Sequence, residues 1–218
     1  NRMINGFTDY EELTRTRRLI MRSYKLPGNR LRLLHPNENR GAVTIDEERD
    51  YHFRYVLEDN FGNRRTYQFI VKGKRQDIPE YKPEANEMLY WNRTNVIQKP
   101  GMELVVPRYY VYEDVPLRTD MRGDSSHIAF DYILDAGRTP IHSYCDLSIG
   151  LRHMPVADTT KYYIVQKAGK WRSSMGGKYA NGWIKTRVRS LGTFSVDVDT
   201  IAPQITPIGQ GGWRTSRN

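Results

Sequence analysis

The feature that most constrains this chain is the rhythm of its apolar runs. They are short, most alternate with polar residues, and turn-forming residues separate them. A period of two puts successive side chains on opposite faces of a strand, so each run has one face to bury. Tyr51-His52-Phe53-Arg54-Tyr55-Val56-Leu57 sets Tyr51, Phe53, Tyr55 and Leu57 on one side. Asp59-Asn60-Phe61-Gly62-Asn63 follows, and Thr66-Tyr67-Gln68-Phe69-Ile70-Val71 rises behind it. This is a hairpin with a loop of about five residues. Further strands are predicted over 41–45, 103–107, 109–112, 128–134, 146–151, 161–166, 171–174, 182–188 and 192–198. Short strands spaced ~8–12 residues apart with turns between them indicate a β-sandwich.

The opening residues read differently. Thr8 or Asp9 is placed to cap a short helix, with Glu11 and Glu12 in its first turn and Tyr10, Leu13 and Arg17 on one face. Residues 74–87 hold Pro79, Pro83, several charges and few apolar side chains, and read as a linker. The expected fold is therefore all-β with a short N-terminal helix. A first sandwich is expected over 1–73, a second over 88–199, and a junction and tail over 200–218.

Composition narrows the class. Apolar residues make up 38% before the 17 glycines are added, which is enough for a core and excludes wholesale disorder. No apolar run approaches ~18 residues, so no helical membrane span is expected. One cysteine, Cys145, excludes an intramolecular disulfide framework and a cysteine-rich zinc module. A cytosolic chain and a disulfide-free envelope protein both accommodate it. The chain opens at Asn1 without an initiator Met or a signal peptide, and so reads as a processed or excised piece.

Hydrolytic chemistry has one invitation. His127-Ile128-Ala129-Phe130-Asp131 is an HxxxD spacing, and in a strand residues four apart share a face. A catalytic zinc needs three protein ligands and an open position. No HxH accompanies the pair, and His35, His52, His142 and His153 are isolated, so no metal site is assigned. His142 and Cys145 form an HxxC without a second pair, and Cys145 reads as a small core residue. There is no GxSxG, no Walker-type loop and no GxGxxG after a strand. No catalytic residue is assigned.

The net charge of +9 asks for a partner. Arg15, Arg17, Arg18, Arg22, Lys25, Arg30 and Arg32 form a dense basic stretch. A nucleic-acid surface would interleave such charges with stacking aromatics. Here an acidic run, Asp46-Glu47-Glu48-Arg49-Asp50, follows, and the aromatics sit at alternating strand positions. Nucleic acid is therefore disfavoured. Trp91, Trp171 and Trp183 fall near loops or strand ends, where aromatic platforms can stack on sugars; sandwich cores also use Trp.

Several strings together carry a resemblance. They are Asn5-Gly6-Phe7-Thr8-Asp9-Tyr10-Glu11-Glu12, Arg18-Leu19-Ile20-Met21-Arg22-Ser23-Tyr24, Leu26-Pro27-Gly28-Asn29-Arg30-Leu31, Asn39-Arg40-Gly41, the Asp59–Asn63 turn, Val71-Lys72-Gly73 and Val198-Asp199-Thr200-Ile201-Ala202-Pro203-Gln204-Ile205. In this order they resemble the region downstream of the catalytic domain in lysostaphin-type (LytM-like) zinc metallopeptidases of Gram-negative bacteria. Pro100-Gly101-Met102-Glu103-Leu104-Val105-Val106-Pro107 with Tyr112-Glu113-Asp114 resembles the start of ankyrin-type sandwich domains.

The resemblance implies immunoglobulin-like or ankyrin-type sandwiches attached to a peptidoglycan-cleaving enzyme in the periplasm or at the cell surface. It implies a zinc in the upstream peptidase domain and no cofactor in this chain. The implied partners are that peptidase domain, on the same polypeptide, and peptidoglycan or another envelope protein. It also implies that the first sandwich is incomplete at its N-terminus, leaving open sheet edges for another segment or chain to cover. The expected function is a non-catalytic region that positions the peptidase. The alternative is a stand-alone glycan-binding module using Trp and Tyr; a third reading is a zinc enzyme at His127 and Asp131.

Overall fold

The computed structural model describes residues 2–32, 34–80, 82 and 84–204. The fold is all-β with one short α-helix, α1 (Tyr10–Thr16), and 3-10 segments at Arg2–Phe7 and Thr159–Lys161. The strands are β1 (Asp50–Glu58), β2 (Arg64–Lys72), β3 (Glu87–Leu89), β4 (Asn95–Lys99), β5 (Met102–Val106), β6 (Val115–Arg122), β7 (Asp131–Asp135), β8 (Cys145–Gly150), β9 (Tyr162–Ala168), β10 (Trp171–Ser174), β11 (Lys178–Ala180), β12 (Trp183–Val188) and β13 (Gly192–Val198). Three sheets result: β1-β2, a six-stranded sheet in the order β10-β9-β13-β7-β6-β3, and a five-stranded sheet in the order β11-β12-β8-β5-β4. No helix among the described residues is long and apolar enough to cross a membrane.

The chain divides into two compact units. The first takes the described residues of Asn1–Asn95 with Pro107–Arg118 and Ala136–Ser143. In it, Asp9 caps α1: its carboxylate accepts the Glu12 N–H at 3.0 Å, with Glu11 and Glu12 in the first turn. A helix of this length is marginal alone. It is framed by backbone bonds, Asp9 N–H to Ile20 carbonyl at 3.0 Å and Arg22 N–H to Phe7 carbonyl at 2.6 Å. Gly28 donates its N–H to the Tyr112 carbonyl at 2.6 Å. A Cβ on Gly28 would lie 2.9 Å from the Tyr112 Cα, so only glycine lets the two backbones approach this closely. Phe7, Leu26, Leu31, Val111 and Tyr112 are buried.

Of the sandwich expected over 1–73, the described strands are β1 and β2 alone. Their register pairs Phe53 with Phe69 and Tyr55 with Tyr67. The Phe53 and Phe69 rings stack at 5.1 Å, and Tyr55 and Tyr67 flank Phe69 at 5.9 and 5.8 Å. The 59–63 loop closes as the sequence predicts: the Asp59 carboxylate accepts the Phe61 and Asn63 N–H groups, both at 2.9 Å. The Asn63 side chain, at 2.8 Å, does most to hold that carboxyl below its ordinary range.

Two predicted strands in this unit are corrected. Gly41 ends a turn and residues 42–45 run on as exposed coil, with Val43 and Ile45 58% and 42% exposed. Two apolar side chains without a neighbouring ladder do not hold a strand. Residues 109–112 are turn and bend: Tyr109 has a left-handed φ of 68°, and Tyr110 N–H closes a turn on the Pro107 carbonyl at 3.1 Å.

The second unit takes Val96–Val106, Thr119–Asp135 and the described residues from Tyr144 onward. Strands β5, β7 and β8 bury alternate side chains, as a period of two requires, and β9 and β13 bury consecutive ones as well. β5 buries Met102, Leu104 and Val106; β8 buries Cys145, Leu147 and Ile149; β12 buries Ile184 and Val188. From the other sheet come Tyr132 and Leu134 of β7, Tyr162 and Ile164 of β9, and Phe194 and Val196 of β13. β9 meets β12 across this core, which makes it a two-sheet sandwich. β7 starts at Asp131, so 128–130, read as strand from the sequence, belong to the preceding loop.

Candidate functional site

Trp91, Trp171 and Trp183 have different surroundings. Trp171, on the edge strand β10, is 81% exposed. Trp91 is half-buried in the first unit, its ring 6.0 Å from that of Tyr109. Trp183 is half-buried at the start of β12 and lines a groove of about 490 Å³ in the second unit.

That groove is built from turns. Asn181 and Gly182 join β11 to β12 as a two-residue connection with φ of 49° and 83°. An Asn-Gly pair with both residues left-handed matches the twist of a hairpin. Trp183 faces Gly150 in the β12–β8 register, and Gly150 N–H bonds the Gly101 carbonyl at 2.8 Å. Gly101 has a φ of 77°, and a Cβ there would sit 2.6 Å from the Tyr132 hydroxyl. That hydroxyl donates to the Pro100 carbonyl at 2.7 Å, and burial pushes its pKa up to about 12. Arg152 carries its guanidinium 4.1 Å above the Phe130 ring and also donates to the Asp124 carbonyl. The groove thus offers a tryptophan, a phenylalanine under a guanidinium, and glycine backbone: apolar surface with a few fixed polar groups.

The HxxxD pair is not assembled. His127 Nδ1 lies 3.0 Å from the Asp124 carboxylate in an exposed turn, whereas Asp131 accepts from Lys167 Nζ at 2.6 Å on β7. Shared-face geometry fails because the strand begins only at Asp131. The Ser126 hydroxyl and N–H, followed by His127, pull the Asp124 carboxyl down to about 2. Among the described residues no three His, Cys, Asp or Glu side chains gather to hold a metal. His142 Nδ1 is 3.1 Å from the Tyr112 hydroxyl. Cys145 is 2% exposed, and burial pushes its thiol up to about 12, so it is protonated at neutral pH.

The residues of the basic stretch have different surroundings. Arg15 pairs with Glu12, and Arg17 is the left-handed residue that ends α1, with a φ of 61°. Arg22 lines a cavity of about 260 Å³ together with Asp9, Glu11, Glu113 and Arg138. Lys25 donates to the Leu31 carbonyl at 2.7 Å. Arg18 and Arg32 are exposed, and Arg30 lies 5.0 Å over the Tyr109 ring. Phe130, Arg152 and Gly101 escaped the sequence reading. Asn181-Gly182 was a legible turn signal, but nothing in the sequence pairs Arg152 with Phe130.

No curated protein matches the chain, and no solved structure does. The Zu5-like domain family matches residues 86–199. The match opens just before β3, closes just after β13 and contains residues 100–114, which carry the ankyrin-type resemblance. With more than half of its 218 residues inside that match, the chain belongs to the Zu5-like domain family.

Proposed function

We propose that this chain is a non-catalytic accessory region of a peptidoglycan-cleaving zinc metallopeptidase. On this reading it works in the periplasm or at the cell surface and positions a peptidase domain of the same polypeptide. It holds wall glycan in the Trp183 groove. The observation that carries the reading is the groove itself, in which an indole, a guanidinium-capped ring and open glycine backbone lie together. Sugars stack their C–H faces on such rings and bond their hydroxyls to nearby polar groups. The LytM-like strings support the attachment to a peptidase.

The test is retention on insoluble peptidoglycan at low and high salt. Retention surviving high salt, and falling about tenfold in Trp183→Ala but not in Trp171→Ala, supports the groove. Retention that vanishes with salt, or that is equal in Trp183→Ala, overturns it. The same groove would serve a stand-alone glycan-binding module. The upstream sequence of the parent gene separates the two: an HxxxD and a later HxH there supports the accessory reading, and their absence supports the module.

A further inference from the structure

A second surface, in the first unit, is built around Trp91 and Tyr109. Asn95, 6% exposed, fixes the loop that carries Trp91. Its side-chain oxygen accepts the Tyr90 N–H at 2.8 Å, and its amide donates to the Tyr90 and Arg93 carbonyls at 2.9 and 3.1 Å. Both backbone groups of Trp91 are used: its N–H goes to the Asp114 carboxylate at 3.2 Å and its carbonyl accepts the Tyr109 N–H at 2.9 Å. The Gly28–Tyr112 bond brings Arg30 to the same place.

Three guanidiniums lie on aromatic rings here. Arg93 is 3.7 Å from the Tyr90 centroid, and Arg108 and Arg30 are 4.3 and 5.0 Å from that of Tyr109. All three arginines are exposed, and no carboxylate among the described residues pairs with them. A cation–π contact holds a guanidinium without using its N–H groups. Their forks therefore stay free for oxyanions. Asp114, whose carboxylate accepts the Trp91 N–H, is an acid at the rim, and the three guanidiniums outnumber it. Tyr109 holds its ring there from a left-handed φ of 68°, which a bulky side chain rarely adopts.

We propose that this surface binds the carboxylates of an acidic polysaccharide. Tyr90 and Tyr109 already carry guanidiniums on their rings, which removes faces on which nucleobases would stack. What remains is an array of pre-positioned charges. A stiff, regularly charged glycan loses less conformational entropy on such an array than a flexible acidic peptide does. The site shares no residue with the Trp183 groove and stands without it.

The experiment is titration calorimetry of the full chain with oligogalacturonate at low salt, against a neutral glucan oligomer. Oligothymidylate and oligoglutamate of equal charge serve as comparators. The uronate should bind and the neutral oligomer should not. The double variant Arg30→Gln/Arg108→Gln should bind about tenfold more weakly, with the slope of log affinity against log salt reduced by about one per arginine. Arg93→Gln, outside the Gly28 contact, gives the same readout if the double variant loses its native melt. Trp183→Ala should bind the uronate unchanged, so this result and that of the groove fail independently. Absence of uronate binding, wild-type affinity in folded arginine variants, or tighter binding of either comparator overturns the proposal.

Discussion

At the residue scale, burial decides what Cys145 can do. The sequence offers an HxxC spacing, but the thiol is 2% exposed and burial pushes its pKa up to about 12. A free thiol titrates near 8.5. Ionisation alone then makes the folded thiol roughly a thousandfold less reactive at pH 8. Labelling with a thiol reagent should be slow in native buffer and complete on addition of denaturant. Fast native labelling would contradict the burial. The sign for stability follows: a thiol raised when folded leaves stability intact below its unfolded value, and that share is lost as pH rises from about 9 towards about 12.

At the element scale, the hairpin β1–β2 and the sandwich strands differ in cover. β1 buries Tyr51, and the rest of both strands is exposed or half-buried. A two-stranded sheet is at best marginal in water. Amide hydrogens of 52–57 and 65–70 should exchange orders of magnitude faster than those of Leu147 and Ile164. Equal protection in exchange mass spectrometry would show the hairpin to be held by more than its own ladder. Legibility follows the same division. β1 and β8 announce themselves by alternation, and β2, β5, β9, β12 and β13 by short apolar runs between turn residues. β6 does not, because Pro116 and the charges of 118–122 break the pattern; yet Pro116 sits opposite Met88 of the short edge strand β3. β3 and β11 are three residues each, too short to show a period. Residues 109–112 have strand composition but turn geometry, since the Trp91 carbonyl and Pro107 claim their backbone donors. The groove was half legible: Trp183 and the Asn181-Gly182 turn could be read, whereas Phe130 and Arg152 meet only through folding.

At the scale of the whole molecule, the family match begins at residue 86, but the first unit continues before it. Val111 and Tyr112, 1% and 2% exposed, lie inside the match, and Gly28 packs on both from outside it. Residues 86–199 produced alone should therefore melt roughly 5–10 °C below the full chain. Equal melting temperatures would mean the N-terminal segment contributes nothing to that packing. The charges of the hairpin have a further consequence. Asp50 stands opposite Lys72 and Glu58 opposite Arg64, so the ends of β1 are both acidic and those of β2 both basic. If two copies met antiparallel along β1, Asp50 of each would confront Glu58 of the other. Along β2, Arg64 would confront Lys72. Like strands repel at both ends, so an edge that could template aggregation discriminates against its own copy.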